Sequence, residues 1–396
     1  MGYNEPIPIW LRKMPEFPPF KYTMKEVRQA GEALSQKLIW TDETAEAIRR
    51  TFAIAHNWRD SHGYPMNRFR AILSGQIKRN NMAGNAVARL KRMPSIRGKL
   101  IKQQWPLDKI QDLAGCRAIL PSIKDAQVLI ERMRGLNGHV LHKEDPYIEK
   151  PKANGYRCHH MVFRYRGNGD DGVFHDRRVE VQIRTWLQHT WATAVEAVGA
   201  YRSENMKGGE GSPEWLRLFA LMSAEFAVTE KCAEPPGLPD RAARVLEIIE
   251  LDKTLNAADT LENIAHAVKY TENIDPKSEP EYYQIIYDKT NRIVNVYPFF
   301  SAVAGAEAYD ASEITAEKSQ SGVTSVLVEA DSIENLKAAY PNYFGDVQMF
   351  RTQLKSIVQG DAAVEFEMPK RIAPPRLKPR EKPDDSWLRG RNKRWK

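Results

Sequence analysis

Residues 178–185, Arg-Val-Glu-Val-Gln-Ile-Arg-Thr, constrain the chain more than any other stretch. Successive side chains of a strand point to opposite faces. Val179, Val181 and Ile183 therefore share one face, and Arg178, Glu180, Gln182 and Arg184 the other. This is the pattern of a half-buried strand with a polar second face. A solvent-facing antiparallel strand has the same pattern, so the charges alone do not establish chemistry.

Its surroundings supply the rest of a sheet. From about 83 to 201, β-rich runs at 116–120, 139–142 and 160–165 alternate with helical stretches at 123–134 and 186–198. That alternation predicts an α/β (α+β) unit with a central sheet flanked by helices. Upstream, a Pro- and aromatic-rich wrap over 1–20 precedes helical patterns at 23–38, 41–60 and 67–80, where Thr41, Thr44 and Glu46 suit an N-cap. Downstream, the Gly-rich loop 208–213 leads to helices at 214–231 and 241–270. A second small α+β unit is expected from strands at 282–287, 293–299 and 324–329 and helices at 301–311, 332–339 and 345–358. The predicted division is 1–82 helical, 83–202 sheet unit, 203–279 helical extension, 280–360 small α+β unit and 361–396 basic tail.

The basic tail explains the net charge. The 396 residues sum to +8, yet residues 370–396 hold eleven Lys/Arg against three Asp/Glu, leaving the remainder neutral. Arms of this kind attract phosphate backbones, or simply keep a chain solvated. No run approaches the roughly 18 apolar residues of a membrane span, and the start lacks a signal-peptide pattern. A soluble, cytoplasmic protein without membrane contact is expected. Three cysteines without a C-x-x-C pair argue against a disulfide framework or a Cys-based zinc site.

Four segments concentrate candidate chemistry. In residues 89–99, Pro94 is expected to stop a preceding helix and Ser95 to cap a new one, whose N-terminus faces an anion with Arg89, Lys91 and Lys99 nearby. The plain alternative is a solvated basic helix pair. In 112–117, Asp112 stands just before a strand and Arg117 on it, a place for magnesium or for a salt bridge to Arg117 or Lys109. In 151–160, Asn154-Gly155 marks a turn flanked by Lys152 and Tyr156, a phosphate-seeking ammonium and a stacking ring, or an ordinary loop. His159 and His160 are adjacent, so they point to opposite faces and share no metal. The fourth segment is the strand 178–185, where function requires Glu180 to join Asp112.

Together, and in this order, the four segments resemble the synthetase domain of the RelA/SpoT family, nucleotide pyrophosphokinases that make (p)ppGpp. The matching patterns are R-x-K-x-x-x-S-x-x-x-K at 89–99, D-x-x-G-x-R at 112–117, P-K-x-N-G-Y-R-x-x-H at 151–160, and E-x-Q-I-R-T at 180–185 with Trp191-Ala192 beyond. The resemblance implies a nucleotidyltransferase-like mixed sheet. It implies that Arg89 and Arg117 sandwich the ATP adenine, and that Lys91, Ser95 and Lys99 hold its phosphates. Asp112 would bind Mg²⁺, with Glu180 sharing the metal or taking the proton of the attacking hydroxyl. Lys152, Asn154, Tyr156 and His160 would form the acceptor side, Tyr156 stacking on guanine, with Gln182 on the acceptor ribose.

Two departures lie on that acceptor side: Cys158-His159 where many relatives carry Ser-Leu, and Pro146 where relatives carry an acid, with Asp145 shifted by one. The hydrolase of long members needs separated His, His-Asp and Asp ligands in a preceding helical domain. The His-Asp pair of this chain, His175-Asp176, falls inside the synthetase segment, so no hydrolase is expected. The resemblance thus implies a short GTP diphosphokinase-like enzyme using ATP and GDP or GTP, able to form homo-oligomers. The alternatives are a toxin-type enzyme that pyrophosphorylates the tRNA 3′-CCA end, with the basic tail on RNA, and a non-catalytic nucleotide- or RNA-binding module.

Overall fold

In the structure, a computed structural model, residues 178–185 form a strand in the middle of one sheet half, with Val179, Val181 and Ile183 buried on one face and Arg178, Glu180 and Gln182 half-buried on the other. The structure describes residues 17, 20–202, 204–267, 269–272, 280–288, 290–291, 293–319, 323–330, 332–340 and 347–364. The basic stretch 370–396 and most of the expected wrap over 1–20 lie outside them.

α1 (Met24–Leu34), α2 (Ala45–Asp60) and α3 (Gly63–Arg79) lead into β1 (Asn85–Leu90) and α4 (Met93–Gln103). β2 (Ala114–Leu120), α5 (Ile123–Arg134), β3 (Val140–Pro146), β4 (His159–Arg164), β5 (Arg178–Thr185) and α6 (Trp186–Arg202) follow. α7 (Pro213–Thr229), α8 (Arg241–Leu255) and α9 (Ala257–Ala267) precede β6 (Lys269–Glu272), β7 (Tyr282–Asp288) and β8 (Ile293–Phe299). The order closes with α10 (Ala302–Ser319), β9 (Val323–Glu329), α11 (Ile333–Ala339) and α12 (Gln348–Val358).

Among the described residues the strands form one mixed sheet in the order β3-β4-β5-β2-β1-β9-β7-β8-β6. β2 and β5 run parallel, with Gly115 opposite Glu180 and Arg117 opposite Gln182. β4 and β1 flank this pair in antiparallel sense. The period-2 pattern then sorts the side chains. Ala88, Ala114, Cys116, Val179, Val181 and Ile183 bury against Phe69 and Leu73 of α3 and Leu129 and Met133 of α5. On the opposite face Val87 and Ile119 join Ile285, Val326, Val328 and Tyr340. Arg89, Arg117, Glu180, Gln182 and Arg184 share that second face by alternation.

Three readings of the sequence differ from this arrangement. The strands expected to form a separate small unit over 280–360 extend the central sheet instead. β9 pairs with β1, Ala88 opposite Glu329 and Arg89 opposite Val328. Glu329, 1% exposed, accepts hydrogen bonds from Arg70 Nε and Asn67 Nδ2, each at 2.6 Å, and so fastens β9 to α3. α12 likewise packs into the core of α6 and α7, with the Phe350 and Phe219 rings 5.6 Å apart. A strand edge pairs through backbone groups, which no side-chain pattern announces.

The second difference concerns residues 85–95. No helix precedes Pro94: residues 85–90 are β1. α4 starts at Met93 with Arg92 at its N-cap, so Ser95 sits inside the first turn rather than capping it. Proline fits a first helical turn because its missing N–H has no intrahelical partner there. The third is the stretch 241–270, which divides into α8, α9 and β6. Asn256, with φ 47°, takes the left-handed conformation that ends α8.

Candidate active site

The end of β1 and the segment before β2 bring together the first cluster. The Lys91 backbone N–H donates to Leu113 O at 2.8 Å, extending the β1–β2 pairing past its last residue. This sets the Lys91 side chain beside Asp112, and Lys99, in the second turn of α4, reaches the same place. Both ammonium groups bind Asp112 Oδ2, at 2.9 Å from Lys91 and 2.8 Å from Lys99. Burial pushes the Asp112 carboxyl up, but the two lysines outweigh it and hold the group below its ordinary value. Burial, together with the charge of Lys99, lowers Lys91. Asp112 Oδ1 is buried and has no hydrogen-bond partner. An orphaned carboxylate oxygen in a cationic cradle costs free energy unless something cationic meets it.

The second cluster stands on β4 and β5. His160 donates from Nδ1 to Glu180 Oε1 at 3.0 Å, and its Nε2 lies 2.6 Å from the Tyr156 hydroxyl. Gln182 Nε2 donates to Glu180 Oε2 at 2.7 Å, and Arg184 donates to Gln182 Oε1 at 2.6 Å. Burial pushes the His160 imidazole down, but Cys158 and Glu180 raise it to about 9, so both ring nitrogens donate at neutral pH. Burial raises Glu180, yet the His160 bond and charge leave it below the usual carboxylate range. Asp112 also acts on Glu180, pushing its carboxyl up. The Cys158 thiol, raised by burial and lowered by Arg184 and His160, comes to about 7.

The loop before β4 carries the residues expected on the acceptor side. Asn154 Oδ1 accepts the Tyr156 N–H at 3.1 Å, the hydrogen bond of an Asx turn. Lys152 Nζ stands over two rings, 4.4 Å from the centroid of Tyr147 and 5.5 Å from that of Tyr156. His159 points the other way, to Glu144 at 2.6 Å, as adjacent strand residues must.

Arg89 and Arg117 do face a common slot, but an aromatic side chain stands in it. The guanidinium carbons lie 5.3 and 5.2 Å from the ring centroid of Tyr340, which is 2% exposed and follows α11. Burial and the repulsion of Arg184 and Arg89 lower Arg117 to about 10. Glu196 of α6 answers this crowd of cations. Burial raises its carboxyl, but Lys207, Arg89 and Arg117 hold it far below its ordinary value. A further tyrosine approaches α4: Tyr309 of α10 accepts the Met93 N–H at 3.2 Å, taking the first donor of the helix N-terminus.

The structure thus gathers Lys91, Lys99 and Asp112 in one cluster, Glu180, His160, Gln182 and Tyr156 in another, and Arg89 with Arg117 in a third. Ser95 stands half-buried in the first turn of α4. Sequence reasoning gave no site role to Tyr147, Glu196, Tyr309 or Tyr340, and named Arg184 only as part of the polar face of its strand. Glu196 carried a usable signal, being the one acid of the helix 186–202, a mix of apolar and polar residues up to Arg202 at its end. Tyr340 carried none, because nothing in its neighbourhood marks which strands it will meet.

Among the described residues no three His, Cys, Asp or Glu side chains gather to cage a metal by themselves. No described helix is long and apolar enough to cross a membrane.

Comparison with known proteins follows the same residues. The family described as a region found in RelA/SpoT proteins matches residues 88–206. A GTP pyrophosphokinase of Photobacterium angustum is 27% identical over 161 residues, 39% of this chain and 21% of that protein. One from Escherichia coli K12 is 25% identical over 185 residues, 45% of this chain and 24% of that protein. The chain therefore spans less than a quarter of the length of either. The crystal structure of small alarmone synthetase 1 from Bacillus subtilis, bound to its product pppGpp, aligns at a TM-score of 0.38. It is 22% identical and covers 43% of this chain and 89% of the other. The match over 88–206 runs from within β1 through α6 and contains all three clusters, so this stretch of the chain is similar to the region found in RelA/SpoT proteins.

Proposed function

We propose that this chain transfers the β,γ-pyrophosphoryl group of ATP to the ribose 3′-OH of GDP or GTP, giving (p)ppGpp and AMP. One observation carries the reading: two lysines close on a single oxygen of Asp112 while its other oxygen stays buried and unpartnered. The relatives' named activity, GTP pyrophosphokinase, is of this kind.

The residues present fit a magnesium ion. Mg²⁺ takes one or two protein carboxylates and fills its remaining positions with phosphates and water. Asp112, through Oδ1, would hold it, with Glu180 as the second carboxylate. When bound, the ion would neutralise charge on the transferred phosphates.

The chain's own residues do the rest. Pyrophosphoryl transfer asks mainly for in-line positioning and charge neutralisation. Lys91 and Lys99, already paired to Asp112, supply positive charge where phosphate oxygens enter, with Ser95 beside them in the first turn of α4. Arg89 and Arg117 offer guanidinium planes to the adenine. Tyr156 stacks on the guanine, with Lys152 over its ring and Asn154 setting the turn, and Gln182 meets the acceptor ribose. Glu180 takes the 3′-OH proton as that oxygen bonds to the β-phosphorus. The bond from this phosphorus to the α,β-bridging oxygen breaks, and AMP leaves. His160 holds Glu180 in place from one side and Gln182 from the other.

The test is direct. The protein is incubated with Mg²⁺, ATP labelled at the γ-phosphate, and GDP, GTP or deacylated tRNA. Label on GDP or GTP, with AMP released in equal amount, is the expected result. Label on tRNA alone would move the acceptor to the RNA end, and no AMP release with any acceptor would overturn the enzymatic reading.

A further inference from the structure

α7 lies beyond the family-matched stretch, yet it touches the acceptor loop at three places. Ser223 Oγ donates to Gly155 O at 2.6 Å. Arg157 Nε donates to Ser223 Oγ at 3.1 Å, and Arg157 Nη1 to Glu230 Oε2 at 2.6 Å. Glu230, at the C-terminal end of α7, also accepts a hydrogen bond from the Thr185 hydroxyl at its other oxygen, and Gln188 Nε2 donates to it at 3.2 Å. Ser223 and Glu230 are seven residues apart, two helical turns, so both present to the same side.

The loop is pressed onto that side. Gly155 has φ +91°, and a Cβ there would lie 3.0 Å from Ser223 Cβ and Trp191 Cζ2 and 3.1 Å from Ala220 Cα. Arg157, Glu230 and Ser223 are each 2% exposed or less. Burying an ion pair is a poor way to gain stability, since apolar residues of equal volume do as well or better. What the pair provides is geometry. One carboxylate joins the segment that carries Tyr156 to Thr185, the last residue of the strand that carries Glu180 and Gln182.

We infer that Glu230 and Ser223 are positioning residues for the acceptor: acting through Arg157, Gly155 and Thr185, they set the separation between the Tyr156 ring and the Glu180 carboxylate. This rests on the acceptor reading given above. The acceptor side is thereby built from two parts of the chain, the motif segment 151–160 and a helix outside the family-matched region. A guanine stacked on Tyr156 presents its ribose to Glu180 only while that separation holds, because a shift of about 1 Å at a reacting centre is enough to cost orders of magnitude in rate.

The test uses the full chain and the variants Glu230→Gln and Ser223→Ala. Steady-state kinetics with GDP, ATP and Mg²⁺ are combined with hydrogen exchange of the backbone amides. Both variants are expected to raise KM for GDP or lower kcat, about tenfold for Glu230→Gln and about threefold for Ser223→Ala, with KM for ATP within twofold of wild type. Exchange at Gly155 and Arg157 is expected to accelerate about tenfold while the amides of β7 and β9 keep their protection. Wild-type GDP kinetics in either folded variant, or a uniform loss of protection across the sheet, would overturn the inference and leave the network a purely structural one. If wild type transfers to no acceptor, the enzymatic reading fails by itself. The exchange at Gly155 and Arg157 then decides separately whether α7 holds the loop, and unchanged exchange there would overturn that too.

Discussion

The Arg117 guanidinium rests over the ring of Tyr340, 5.2 Å from its centroid, and so joins the middle of β2 to the residue after α11. Arg89 lies 5.3 Å from the same centroid. A purine base that stacks on these two guanidiniums must take the place of the tyrosine ring. Each cation–π contact is worth about 0.5–2 kcal/mol, the more so the more it is desolvated. Tyr340→Ala is therefore expected to lower the apparent KM for ATP about three- to tenfold and to leave that for GDP unchanged. A rise in the ATP KM would show instead that the ring forms part of the base site.

Glu180 is held on both oxygens, by His160 and by Gln182. Glu180→Gln preserves size and polarity but removes the proton acceptor. General-base catalysis contributes about 10² to 10⁴ in rate, and a loss of kcat in that range is expected, with the thermal midpoint changed by no more than a few degrees. Near-normal turnover by the folded variant would remove Glu180 from the base role.

A buried acid couples the fit of α10 to pH. Burial raises Glu313 from 4.5 to about 7, against the opposing pull of Arg59, the Tyr309 hydroxyl and Arg92, while Asp310 adds to the rise. Since the folded-state value is the higher one, the protonated acid is favoured in the folded state. That advantage is full below about 4.5 and is lost as pH rises through about 7. The loss is on the order of 3 kcal/mol at most. Denaturant titrations of wild type and Glu313→Gln between pH 5 and 8 should diverge, the wild type losing stability with rising pH relative to the variant. Parallel curves would contradict the assignment.

Gly155 adopts φ +91° with Ser223, Trp191 and Ala220 closing around it. An alanine there meets both a backbone conformation that side chains disfavour and a helix that cannot retreat. Gly155→Ala is expected to cost about 1–3 kcal/mol of stability and to weaken acceptor binding. Chemical denaturation checks the first part, and a change below about 0.5 kcal/mol would mean that the loop moves away from α7 freely.

Legibility in the sequence followed the range of the interactions. The alternation at 178–185 and the helix at 123–134 were written locally, because strand faces and helix ends depend on residues a few positions apart. The N-cap expected at Thr41 falls at Thr44 instead: α2 starts at Ala45, and the Thr44 side chain makes no capping bond. The spacing within 89–99 brought Lys91 and Lys99 to one place, although the element carrying Lys91 was read as a helix and is a strand end. His159 and His160 diverged as their adjacency requires.

The sequence by itself determined which residues are cationic, which are acidic, and, along the strand 178–185, on which side they stand. Only the tertiary structure decided that β9 completes the edge of β1, that Tyr340 lies against Arg89 and Arg117, that Tyr309 takes the first N–H of α4, and that Glu230 ties the segment before β4 to β5. The physical reason is common to all four. Strand edges and helix ends offer the same backbone groups whatever their side chains, and a buried ring or carboxylate finds its partner only after distant segments have packed.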